Sequence, residues 1–365
     1  MNLKNKFTRI LVRVLGGITA LLVLAVIAGV LYRSSLQNEV AERRAITTEN
    51  GIETIESTQI GGIEQVINIR GKDLDNPVIL FVHGGPGMAF MPFSHIFQDD
   101  WEDSFTVVQW DQRGAGKTYF ANDPDEVLKT MSLERVTDDV IEMSELLRSR
   151  LKKKKIFIVA HSWGTVIGTR AVKMRPDLYH GYVGTGQVVS FVEGERLAYA
   201  HTLQVAKDRN NQEAIKELEA IAPYPDENIM TKFQVRNKWN SLFGESYYGQ
   251  SSMSPLMKQL LRSPEYSLRD LTYFRKPPSL EWVDEVLPYV DLRKLGTDFE
   301  VPMFFFEGAH EWQTAHPLAK EYYISINAPV KNYISFNKSS HFPFFSEPEK
   351  FARMLKKELL PLVKQ

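Results

Sequence analysis

KIFIVAHSWGTVIGTR, Lys155 to Arg170, reads as a strand, a sharp turn and a helix. Ile156, Phe157, Ile158, Val159 and Ala160 form an apolar, β-rich run that ends on His161-Ser162-Trp163-Gly164, and a small-residue helical pattern follows directly. A serine on such a turn has its hydroxyl exposed above the carboxyl end of a parallel sheet, and the turn needs small residues two before and two after it. Ala160 and Gly164 meet that need, with alanine standing in the first position of Gly-x-Ser-x-Gly. Serines between small residues are common in strand-to-helix turns, so the other motifs must decide whether Ser162 is a nucleophile.

Upstream of the elbow, Glu53 to Ile60 and Ile63 to Ile69 alternate around Gly61-Gly62, a hairpin pattern. Val78 to Val82 and Phe105 to Trp110 are buried-strand runs, and Leu133 to Leu151 has helical periodicity. Strands alternating with helices argue a mostly parallel, doubly wound α/β sheet across residues 51–189. The rhythm stops after Tyr182 to Val189. From 190 to 296 the chain turns charged, aromatic and helix-forming (Ala200 to Ile221, Met230 to Leu242, Met257 to Leu261, Trp282 to Leu287), which predicts a helical cap. The sheet resumes within 297–365, at Val301 to Phe306 and Tyr333 to Phe336, and a closing helix spans Pro348 to Val363.

The amino terminus has its own composition. Lys4, Lys6, Arg9 and Arg13 precede an uncharged apolar run from Val14 to Tyr32, roughly 28 Å of helix and about the thickness of a bilayer core. Residues 1–33 are therefore expected to be a cytoplasmic end and an uncleaved transmembrane anchor, with the body on the extracytoplasmic side. Cleavage near Ala28 is the competing reading. Residues 34–50 are charged and polar and read as a stalk, linker or connecting helix. The net charge of -1 implies no nucleic-acid partner, and the absence of cysteine excludes disulfides, a thiol nucleophile and a Cys-ligated metal site.

Acyl transfer by serine needs a base, an acid to orient it, and donors for the oxyanion. On this architecture the order along the chain is Ser, then Asp or Glu, then His. His341, in the loop after the last strand, is the candidate base. Glu311, past the strand that ends near Phe306, is the first candidate for the acid, with Glu307 as the second. The backbone amides of Trp163 and of Gly85, in His83-Gly84-Gly85-Pro86-Gly87, are the candidate oxyanion donors. Gly114-Ala115-Gly116-Lys117-Thr118 is not a phosphate loop, because Asp111 stands where the first glycine is required.

Taken together, HGGPG at His83 to Gly87, DQRGAG at Asp111 to Gly116, HSWG at His161 to Gly164, and His341 followed by Pro343 and Glu347-Pro348 resemble the proline iminopeptidase-like branch of the α/β-hydrolase superfamily. The resemblance runs from about Gly51 to the carboxyl end. It implies an eight-stranded core, a helical cap between the sixth and seventh strands, no cofactor or metal, and release of an amino-terminal residue from short peptides or amides. The chain departs from that pattern in having Glu311 where aspartate is usual and no arginine in Val183 to Gln187. Glu193 and Glu195, near the start of the cap, are the candidate substrate-binding carboxylates. The leading expectation is a membrane-anchored Ser-His-Glu aminopeptidase or amidase acting on a small-molecule or short-peptide substrate. The alternatives are a carboxylesterase with the same triad and a non-catalytic binding protein at the membrane surface. Oligomeric state is not legible.

Overall fold

The structure is a computed structural model that describes residues 3–275 and 281–363. Its centre is one eight-stranded sheet, formed by β1 (Ile52–Ile60), β2 (Ile63–Gly71), β3 (Val78–Val82), β4 (Thr106–Asp111), β5 (Ile156–His161), β6 (Tyr179–Thr185), β7 (Met303–Gly308) and β8 (Lys331–Phe336). The strand order is β1-β2-β4-β3-β5-β6-β7-β8. The β1–β2 and β2–β4 pairs are antiparallel, and the rest are parallel.

A strand sends successive side chains to opposite faces, and the central strands are apolar on both. Leu80, Val82, Ile158, Ala160, Met303 and Phe305 pack on one face with Val140 and Leu147 of the Leu133–Arg150 helix and Val166 and Ile167 of the Trp163–Met174 helix. Ile79, Phe81, Phe157, Val159, Phe304 and Phe306 pack on the other with Phe351, Leu355 and Leu359 of the Pro348–Val363 helix. Both faces are covered, which is why these runs show no polar alternation. Edge strand β1 does alternate between exposed and half-buried residues.

Several boundaries differ from the sequence reading, three of them with a clear physical or topological consequence. Strand β6 ends at Thr185, not Val189, because the chain turns at Gly186, whose φ is 56°. The helix expected over Ala200 to Ile221 is two helices, Phe191–Asp208 and Gln212–Ala220. Asn210 between them has a φ of 51°, and the Asn211 side chain caps the second by accepting from the Ala214 N–H. A further helix, His316–Ser325, separates β7 from β8.

The amino-terminal segment also departs from expectation. One helix, Leu3–Arg44, carries the apolar run straight into what reads as a stalk. The run itself is unburied, which excludes a core helix. The side chains of Lys4, Lys6 and Arg9, which bear on orientation, lie outside the described residues. From Arg33 onward the helix packs on the body. Val40 is buried, and the buried Arg44 guanidinium pairs with Asp99, Glu102 and Glu265 at 2.7–3.0 Å. The Arg44 charge in this stalk segment is met by partners distant in the chain.

Candidate active site

The elbow has the expected form. Ser162 is half-buried between β5 and the helix that begins at Trp163, with φ 52° and ψ -123°. This strained conformation for a non-glycine residue is held from both sides: its N–H donates to the Thr185 carbonyl at 3.0 Å, and its carbonyl accepts from the Thr165 N–H at 2.8 Å. The small residue at 164 is explained by contact, since a Cβ there would lie 2.1 Å from the Val82 carbonyl oxygen.

His341 is buried, and its Nδ1 lies 2.6 Å from the Glu311 Oε2. Burial alone would raise the Glu311 carboxyl, but its pKa is lowered. The His341 charge and hydrogen bond and the backbone N–H groups of Thr314 and Gln313 together outweigh desolvation. Glu307 goes elsewhere: its Oε1 accepts from the Gln187 N–H at 2.9 Å, and it makes no bond to His341. Of the two acids weighed from sequence, Glu311 is the one brought to the imidazole. Between them sits Gly186, where a Cβ would come within 2.9 Å of the His341 ring.

Burial first, and then the Glu311 charge, push the Glu307 carboxyl well above its ordinary range against the pull of the Gln187 and Gly186 amides. A group whose folded pKa is raised stabilises the fold fully below its unfolded pKa, and that contribution is lost as pH rises through the folded value. Glu307→Gln should therefore leave Tm unchanged near pH 4 and raise it by roughly 2–5 °C at alkaline pH. A pH-independent difference in calorimetric melting would contradict this assignment of a neutral buried acid.

The other two motifs brace each other. The Gln112 N–H donates to His83 Nε2 at 3.2 Å, and the Gln112 side chain donates to the His83 carbonyl at 2.9 Å. Burial pushes the His83 pKa down to about 4. Arg113 is fully buried on Asp139 and donates to the Gly61 carbonyl, so it ties the hairpin to the Leu133–Arg150 helix. These residues shape the loop that carries Gly85. His161 donates from Nε2 to the His341 carbonyl at 2.9 Å, with the two rings 4.6 Å apart.

Two cavities meet at Ser162. One, of about 250 Å³, is lined by Gly85, Ser162 and Trp163 together with Phe191, Met230 and Phe233 from the helices between β6 and β7. The other, of about 260 Å³, is lined by Gly85, Ser162, His341, Phe342, Met88 and Asn237. Ser162, His341 and Gly85 thus share one hollow, and Trp163 borders the neighbouring one. The edge of Trp163 meets Trp282 at 5.6 Å, so the helical segment closes over the elbow. Among the described residues, no group of three or more His, Asp or Glu side chains could hold a metal ion.

The two candidate substrate carboxylates, Glu193 and Glu195, are placed differently. Glu193 is on the surface, paired with Arg293 at 2.8 Å, and lines neither cavity. Glu195 does border the cavity lined by Phe191, Met230 and Phe233, but its carboxylate is buried and committed to Arg236 and to the Tyr224 hydroxyl, the latter at 2.6 Å. Asp284, not singled out in the sequence, lines the same cavity from an exposed position. Its neighbours Trp282 and Leu287 drew attention only as helix formers, and nothing local marks the acid as a cavity residue.

A family model described as serine aminopeptidase, S33, matches residues 75–349, most of the chain. The chain belongs to this family. It is an α/β serine hydrolase, an enzyme of the proline iminopeptidase-like kind. Over 317 residues it is 27% identical to the probable aminopeptidase YbaC of Bacillus subtilis, covering 85% of this chain and 97% of that protein. A proline iminopeptidase of Heyndrickxia coagulans is 24% identical over 280 residues, 76% of this chain and 88% of that one. The fold is that of a proline iminopeptidase-related protein of Thermus thermophilus, with a TM-score of 0.60, 20% identity, and coverage of 85% of this chain and 99% of that one.

Proposed function

We propose that Ser162, His341 and Glu311 form the catalytic triad of a membrane-anchored aminopeptidase or amidase that acts on short peptides or amino-acid amides. The observation that carries this reading is the 2.6 Å contact of His341 with a buried Glu311, in a hollow shared with a serine on a strained turn. Ser162 Oγ attacks the carbonyl carbon while His341 Nε2 takes its proton, and Glu311 holds the imidazole and balances its charge. The oxyanion accepts from the Gly85 and Trp163 amides. When the C–N bond breaks, His341 returns the proton to the leaving amine. Water, deprotonated by His341, then cleaves the acyl-enzyme to the free acid and Ser162.

Aminopeptidase chemistry also requires an anion for the substrate ammonium. Asp284 supplies one at the cavity wall, whereas the Glu195 charge is already neutralised by Arg236. The second reading, an esterase, is favoured by that same neutralisation and by the apolar wall of Phe191, Met230 and Phe233. Steady-state kinetics on proline and other aminoacyl arylamides against short acyl esters tests the choice. The first reading expects higher kcat/KM on the arylamides and a KM raised about tenfold by Asp284→Asn. Appreciable turnover of esters alone would replace it with the second. The membrane reading rests on the length and exposure of the apolar helix.

A further inference from the structure

We infer that the segment from Leu261 to Arg269 is a membrane-docking surface that lies in the lipid headgroup layer beside the amino-terminal helix. This rests on the reading of that helix as a membrane span. The apolar run ends at Tyr32, and from the next residue the helix is stitched to this segment. Arg33 donates to the Tyr266 carbonyl at 2.6 Å, Gln37 to the Ser263 carbonyl at 2.6 Å, and Arg262 pairs with Glu39 at 2.7 Å.

Helical rise sets the depth. Residues 33 to 39 lie between roughly 1.5 and 10.5 Å beyond Tyr32 along the axis, and the interfacial layer adds roughly 5–8 Å to each side of the hydrocarbon core, so Tyr266 is bonded within that layer and Arg262 at its outer edge. Ser263 to Tyr266 are bonded to the helix at those levels. Leu268 follows two residues later, its Cα within about 8 Å of that of Tyr266.

The segment has the side chains such a layer takes up. Leu261 and Leu268 are exposed at 47% and 51%, although the rest of the segment is anchored to the core by buried Glu265, Tyr266 and Asp270. Arg269, next to Leu268, is exposed, which suits an anionic headgroup region, while Arg262 is already paired with Glu39. Leu261 and Leu268 stand bare beside the helix that carries the apolar run, next to Arg262 and Tyr266 that are bonded to it, and so their occupant is the same bilayer. The contact is also close to chemistry: four residues past Arg269, the Tyr273 hydroxyl donates to the Gly87 carbonyl of the oxyanion loop at 2.7 Å.

The chain has no cysteine, so single thiols can be placed and labelled cleanly. Full-length Leu261→Cys, Leu268→Cys, Leu22→Cys and Ile324→Cys proteins would each carry an environment-sensitive fluorophore. Each would be reconstituted in phosphatidylcholine and phosphatidylglycerol vesicles containing lipids with a nitroxide at the headgroup, at a shallow acyl position or deep in the acyl chain. Leu22 reports the span, and Ile324, exposed near the far edge of the sheet, is the reference. Quenching at 261 and 268 is expected to exceed that at 324 several-fold, and to be stronger from the headgroup and shallow positions than from a nitroxide deep in the acyl chain. If Leu22→Cys is quenched but 261 and 268 match 324, the docking surface is overturned while the span stands. A blue-shifted but unquenched label at 268 means that a protein neighbour covers the segment, which also overturns it. Failure of quenching at 22 removes the span and this inference with it.

Discussion

Ser162→Ala is expected to lower kcat by about a million-fold and to leave the fold intact. The magnitude follows from what the hydroxyl does: without it no acyl-enzyme forms, and only the oxyanion donors and substrate binding remain to accelerate attack by water. The fold survives because Ser162 is held through its backbone, by the Thr185 carbonyl and the Thr165 N–H. Alanine keeps both bonds. Kinetics on the best small amide or ester, together with an unchanged Tm, checks this. A loss below about a hundredfold would mean that the reaction runs through another nucleophile.

Glu311→Gln is expected to cost roughly 10⁴ in kcat with little change in KM. The carboxylate accepts from His341 Nδ1 and from the Thr314 and Gln313 N–H groups. An amide of the same shape can turn its NH2 toward Nδ1, which selects the tautomer with the proton on Nε2, facing the serine. The base is then unable to receive the serine proton. Glu307→Gln should leave kcat within about twofold, since Glu307 touches the Gln187 amide rather than the imidazole. Reversed results for the two variants would move the acid's role to Glu307.

The elbow and the closing helix were legible because each is a local pattern. A period-two or period-3.6 run, or a motif whose spacing has one geometric solution, carries its own structure. The meeting of His341 with Glu311 beside Ser162 was legible for a second reason, namely that chain order and strand ends restrict which loops can meet. The binding cavity follows no such rule. Glu193 and Glu195 look alike in sequence, yet one is a surface partner of Arg293 and the other a buried partner of Arg236. Which acid borders the cavity depends on how separate helices pack. The docking of residues 33–44 was hidden in the same way, because the acids that receive Arg44 arrive from positions 99, 102 and 265.

The proposed mechanism turns on Ser162 being a nucleophile activated by His341. The most direct measurement treats the folded protein with a fluorophosphonate and maps the adduct by mass spectrometry. One phosphonyl group on Ser162, formed orders of magnitude more slowly in His341→Ala, is the predicted result. A folded protein that stays unlabelled, or that is labelled at another residue, would contradict it.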